Sequence, residues 1–186
     1  MTQLFSNSQP SRHGAHVPRQ DGLNTEAQRG DPYRAGGKIP EPAVCPECQA
    51  SFRQGRWSWE PAEAGATPHR CPACERIRDG MPAGQLTLSG AFLDRHSEEI
   101  MRLVNNTEEQ VRLEHPMERL IAVDTGGAGL AGGSEAGGAG STVELAFTGI
   151  HITHAVGKAI EAAYGGSLEA PYGEAGTLLR SHWHRD

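Results

Sequence analysis

From Leu86 to Val111 the apolar positions return every three or four residues. Phe92, Leu93, His96, Ile100, Leu103, Val104 and Val111 fall on one stripe, with Asp94, Arg95, Glu98, Glu99 and Arg102 between them. That period predicts an amphipathic helix. Asn105-Asn106 breaks the run, and Thr107 with Gln110 reads as a capping box for a short second helix. His115-Pro116 ends helical structure. Met117 to Asp124 then reads as a strand. Val143, Leu145 and Phe147 alternate with Glu144 and Ala146, the period-two signature of a second strand. A helix follows from Gly149, capped by Thr148, with Ile152, Val156, Ala159, Ile160 and Ala163 as its buried stripe. Gly165-Gly166 stops it, and short strands near 167–172 and 177–184 complete the order. Helix, strand, strand, helix, strand, strand describes a two-layer antiparallel α+β sandwich over residues 81–186.

The amino-terminal quarter lacks any such period. Residues 1–43 scatter a few apolar side chains among Gln, Ser, Arg, Gly and Pro, too few to offset the entropy of ordering them, so a disordered tail is expected. Charge sharpens the division. Residues 45–80 carry five basic and five acidic side chains, whereas 81–186 carry seven and fourteen. A nucleic-acid binder normally shows a basic face, so any RNA contact here must be local. The start of the chain has no apolar leader, and no run approaches the roughly 20 residues that span a bilayer. The expectation is a soluble, cytoplasmic protein with no membrane partner, in a compartment where paired cysteines bind metal instead of forming disulfides.

Residues 44–80 hold every cysteine of the chain, in two C-P-x-C units: Cys45 with Cys48 and Cys71 with Cys74. Sulfurs at i and i+3 of a tight turn aim at one point, and two such units supply a tetrahedron of thiolates. That set suits one Zn²⁺ at about 2.3 Å per bond. Iron suits four thiolates too, and the spacing leaves that open. His69 adds nothing to a shell already closed. A thioredoxin-like redox pair would need one unit at a helix start within a βαβ frame, which neither unit offers on sequence. Four protein ligands leave no position for water, so the zinc is expected to be structural, holding a ribbon whose own apolar residues are few. The 22-residue spacer accommodates a hairpin, FRQGRWSW outward and GATPHRC in return. Phe52, Trp57 and Trp59 either form the ribbon's small core or stack bases. In the second reading Arg53, Arg56, Arg70, Trp57 and Trp59 are the candidate RNA contacts.

CPECQASF, HRCPACERI, GQLTLSGAFLDRHSEEIMRLVNNTEE, HPMERLIAV and LLRSHWHRD together resemble the zinc-ribbon family of the large-ribosomal-subunit nuclear-export adaptor, above all its small bacterial relatives. The resemblance covers about residues 44–186 apart from a glycine-rich loop. It implies association with ribosomal RNA or a ribosomal protein, with Cys45, Cys48, Cys71 and Cys74 as zinc ligands. Ribbons of this kind often place glycine after the second cysteine of a knuckle, where Gln49 and Glu75 stand here. No export signal is evident, so nuclear export is not implied.

Two further patterns are set aside. Gly127, Gly129 and Gly132 have the G-x-G-x-x-G spacing after a strand, but a helix must follow at once to hold a pyrophosphate, and SEAGGAGS leads to another strand instead. A flexible hairpin loop over 126–140 is the expectation, with no nucleotide cofactor. Arg180, His182 and His184 share one face of the last strand, opposite Ser181 and Trp183. This is a polar face, with an RNA-backbone strip or a second metal site as the sharper alternatives. There is no G-x-S-x-G and no thiol outside the cysteine set, so an enzyme is not expected. The reading is a non-catalytic zinc-binding adaptor associated with the ribosome or RNA. The alternative is a protein–protein adaptor that docks a basic partner on its acidic α+β domain.

Overall fold

The computed structural model describes residues 31–33, 38–125, 141–170 and 178–186. Most of the expected tail and the whole glycine-rich loop lie outside the described residues. What is described is mixed α+β, with two sheets and three helices.

The first sheet comprises β1 (Ala43–Val44), β2 (Ser51–Arg53), β3 (Arg56–Ser58) and β4 (Thr67–Pro68), in the order β3-β2-β1-β4. The spacer does not form the expected hairpin with GATPHRC as its return strand: the return comes within FRQGRWSW itself, where β2 and β3 make a tighter hairpin. Its two-residue turn, Gln54-Gly55, has positive φ at both positions (52° and 75°), the geometry whose twist matches the strands. β4 runs parallel to β1, with Ala43 opposite Thr67. The two strands therefore arrive side by side at Cys45 and Cys71. After Cys71 the chain turns at once into α1 (Pro72–Asp79), which sequence reasoning did not anticipate. Pro72 suits a first helical turn, where its missing N–H costs nothing, and Gly80 closes the helix at φ 63°.

The second unit runs β5 (Gly84–Ser89), α2 (Ala91–Glu114), β6 (Leu120–Asp124), β7 (Val143–Phe147), α3 (Ile150–Tyr164), β8 (Ser167–Glu169) and β9 (Leu179–His184). Its sheet has the order β6-β7-β5-β9-β8. Three of its four pairings are antiparallel, and β5–β9 is parallel. Three expectations are corrected. The helical pattern does not start at Leu86: residues 84–89 are the central strand. Leu86 and Leu88 alternate, but Leu88 lies four residues before Phe92 and Leu86 seven before Leu93, so the strand imitates one more helical turn. The change occurs at Gly90 (φ 106°), where a Cβ would fall 2.1 Å from the Arg185 carbonyl oxygen, so only glycine fits. Second, α2 does not break at Asn105-Asn106. Thr107 bonds back to the Leu103 carbonyl at 2.8 Å instead of capping, and the only non-helical residue within α2 is His96. Third, Thr148 does not cap α3. Its hydroxyl donates to the Met117 carbonyl (2.8 Å) and accepts the Arg119 amide (2.7 Å), while the Glu118 carboxylate accepts the Ile152 amide (3.1 Å) in the cap's place.

The core lies between the helices and one sheet face. Leu86, Leu145, Phe147, Ile100, Ile152 and Trp183 are fully buried there. Trp183, the largest of them, donates its indole N–H to the Gly165 carbonyl at 2.9 Å and meets Phe92 edge-on at 6.4 Å.

Candidate metal centre

The four cysteines converge. Their sulfurs all lie within 4.8 Å of one another, and none is in a disulfide. Cys45, Cys71 and Cys74 are buried and Cys48 is partly exposed. A tetrahedral zinc thiolate with bonds of about 2.3 Å has sulfur–sulfur edges of roughly 3.8 Å. The Cys48–Cys71 separation is 3.7 Å. The donor set therefore fits a four-coordinate, thiophilic ion, with no open position for a reacting water.

The two C-P-x-C units reach this arrangement differently. The first is a turn: the Gln49 amide bonds the Cys45 carbonyl at 2.9 Å and the Cys45 amide bonds Ala50 at 2.8 Å. Gln49 occupies the left-handed conformation, φ 65°, a backbone region that favours glycine. Its side-chain amide donates to the Pro46 carbonyl at 3.1 Å, which closes the turn. The second unit is a helix start. Cys71 is the N-cap of α1, and its sulfur accepts the Cys74 amide at 3.4 Å. That is why Glu75 stands where a knuckle would favour glycine: it lies in the first turn of α1, where a carboxylate complements the helix dipole. The Cys71 amide in turn points at Cys45 Sγ at 3.4 Å, tying the units together.

One participant comes from outside the ribbon. Arg119, at the entrance to β6, is 8% exposed and donates from Nη1 to Cys74 Sγ at 3.4 Å. Its Nε bonds the Pro116 carbonyl at 2.7 Å, and its guanidinium lies 5.4 Å from the Trp59 ring centroid. Burial works against its charge, but the sulfurs of Cys48, Cys71 and Cys74 together outweigh this and leave the guanidinium more basic than usual. In the metal-free protein Cys48 is held down at about 4, chiefly because Cys71 donates a hydrogen bond to it. Cys71 is pushed up for the same reason, so the pair carries one proton between them. Burial pushes Cys74 up to about 12. No spacing in the sequence flags Arg119, since its contact to Cys74 spans 45 positions.

The candidate RNA contacts are dispersed by comparison. Arg53 pairs with Glu60 and, at 2.9 Å, with Glu63; Arg70 pairs with Glu47 at 2.6 Å. Arg56 is exposed. Trp57 is half-buried, packed on Phe52 (5.2 Å between centroids) and stacked on His69 (6.5 Å). Trp59, 37% exposed, donates its indole N–H to the Arg112 carbonyl at 2.6 Å and so bridges the ribbon and α2. On β9, Ser181 and Trp183 are buried while Arg180 and His184 are exposed, as the alternation implied. His182 and His184 both bond the Ser89 hydroxyl, at 2.7 and 3.0 Å. Among the described residues the four cysteines are the one group of three or more potential ligands close enough to hold a metal ion. No described helix is long and apolar enough to cross a membrane. Compared with family models, with curated proteins and with solved structures, the chain matches none.

Proposed function

We propose that the chain is a non-catalytic adaptor built around one structural zinc. The observation that carries this reading is the closed set of four thiols, braced from the α+β domain by Arg119. Zinc at such a centre supplies folding energy and a rigid junction, and it activates no water. The preferred partner is the ribosome or structured RNA, with Arg53, Arg56, Arg70 and the exposed edge of Trp59 as contacts. In support, Arg56 is exposed, and the Arg53 and Arg70 ion pairs lie at the surface. Such pairs are worth about 0–1 kcal/mol, so a phosphate can displace the glutamate at little cost. A second reading, docking of a basic protein on the acidic domain, is favoured by those same glutamates, which neutralise the ribbon locally, and by the excess of acidic residues beyond it.

Tagged protein purified under reducing conditions should carry one zinc per chain and lose it in Cys48→Ser. Its partner should sediment with ribosomes, be released steeply by salt and vanish after RNase treatment. Retention of a basic protein after RNase treatment selects the second reading. Absence of metal from the purified protein refutes both.

A further inference from the structure

At the seam between the ribbon and the α+β domain there is a cavity of about 310 Å³, walled by Phe52, Trp57, Tyr33, Arg76, Met117 and Glu118 among others. Among the described lining residues, Asp31, Arg76 and Glu118 carry one positive and two negative side chains. Arg76 is committed: it pairs with Asp31, donates to the Met81 carbonyl at 3.0 Å, and its guanidinium lies 4.4 Å from the centroid of the Tyr33 ring. Glu118 is only 7% exposed, and no Lys, Arg or His among the described residues pairs with it. One carboxylate oxygen, Oε2, accepts the Ile152 amide at 3.1 Å; Oε1 is left without a partner among them. A Cβ on Gly149 would fall 1.9 Å from Oε2, so the carboxylate is seated against the start of α3. The half-charge at a helix N-terminus offsets part of the cost of burying this anion, not all of it.

The lining also holds the aromatic rings of Phe52 and Trp57. Phe52 and Trp57 meet at 51°, forming a corner of two π faces. A buried carboxylate and aromatic rings lining one cavity select a cation that is cheap to desolvate, since both the charge and the ring quadrupoles attract it. Guanidinium is more weakly hydrated than ammonium and stacks on rings, so it is favoured. The volume lies at the lower end of the roughly 300–1,000 Å³ typical of ligand pockets and suits a single side chain.

We propose that this cavity binds an alkylguanidinium group, held between Glu118 Oε1 and the Phe52–Trp57 corner, and that its source is an arginine side chain of a basic protein partner. This deepens the second reading above and rests on it only for the source of the group.

The test is a titration of ¹⁵N-labelled, zinc-loaded full-length protein with arginine amide and, separately, a Gly-Arg-Gly peptide, with glycine amide as control. The Trp57 indole N–H and the Ile152 amide should shift with either guanidinium ligand and not with the control. Glu118→Gln should weaken binding about tenfold, the loss of one charge-assisted contact. Phe52→Leu should weaken it severalfold while keeping the wall apolar, and Arg102→Gln, on the exposed face of α2, should leave it unchanged. Tighter binding of the peptide assigns the site to a partner's side chain, and tighter binding of the amide assigns it to a free small cation and overturns the partner source. Shifts confined to α2, or unchanged affinity in folded Glu118→Gln, overturn the site. If Glu118→Gln does not fold because α3 loses its cap, unchanged affinity in Phe52→Leu overturns it instead. Co-purification, which decides the adaptor reading, does not depend on this titration.

Discussion

Replacing Arg119 with methionine would remove a buried charge from the thiolate centre while keeping an unbranched stem over Trp59. The guanidinium makes one hydrogen bond to a cysteine sulfur, at 3.4 Å, from a side chain 8% exposed, so solvent screening takes little from it. A hydrogen bond to a charged group contributes about 1.5–3 kcal/mol. Loss of a partner to metal-ligating groups typically costs 10–100-fold in metal affinity, which is about 1.4–2.8 kcal/mol, so the two scales agree. Arg119→Met should therefore bind zinc about 10–100-fold more weakly in competition with a chromogenic chelator at neutral pH. Arg119→Lys, which keeps the charge and loses the planar fork, should fall between. The circular dichroism of both variants should match the parent protein at saturating zinc. Affinity within about twofold of the parent protein in a folded Arg119→Met would refute the reasoning, since the contact would then be adjacency without energy.

Other outcomes follow from the same geometry. Gln49→Gly should stabilise the zinc-loaded protein by about 1 kcal/mol, read as a higher denaturation midpoint, because glycine takes φ 65° without the Cβ penalty; a lower midpoint would mean that the Gln49–Pro46 hydrogen bond matters more. In metal-free protein Cys48 should show thiolate absorbance down to about pH 4. Its folded-state value is depressed, so its contribution to stability is full above the ordinary thiol range and is lost as pH falls through about 4. Loss of the absorbance near pH 8 would contradict the Cys48–Cys71 geometry. Trp183→Ala should cost about 3–5 kcal/mol in urea denaturation, as a fully buried aromatic with a bonded indole; a loss under about 1 kcal/mol would place Trp183 outside the core.

The ligand set was legible in the sequence because its signal is local: two sulfurs three residues apart, twice over. The strand from Leu179 and the helix from Ile150 were legible because one face of each is buried and the other more exposed. The strand from Val143 was legible because its apolar residues alternate about Glu144, although Ala146 is buried as well. The strand from Leu120 has no fully buried residue and was legible only as an apolar run. β5 was not, because a central strand next to a helix start gives its alternation too few residues before the helical period takes over. α1 was hidden within HRCPACERI, where the second cysteine unit reads as a turn although Cys71 caps a helix. Arg119 and Glu118 carry no local signal at all. Each acts on a group far along the chain, Cys74 and Ile152, and only the fold brings them there.

The parallel pairing at the middle of the large sheet also dictates an order of assembly. Ser89 on β5 meets His184 on β9 across 95 positions, so the central strand gains its second neighbour only after nearly the whole domain has been synthesised. Closing loops of that length slows folding, whereas the cysteine units are 26 positions apart and can capture metal early. A nascent chain would thus hold a metal-bound ribbon while β5 still exposes one edge. Arg119 would reach the thiolates once β6 has paired with β7, before β9 arrives, so the ribbon is locked to a sheet whose last strands are still to come.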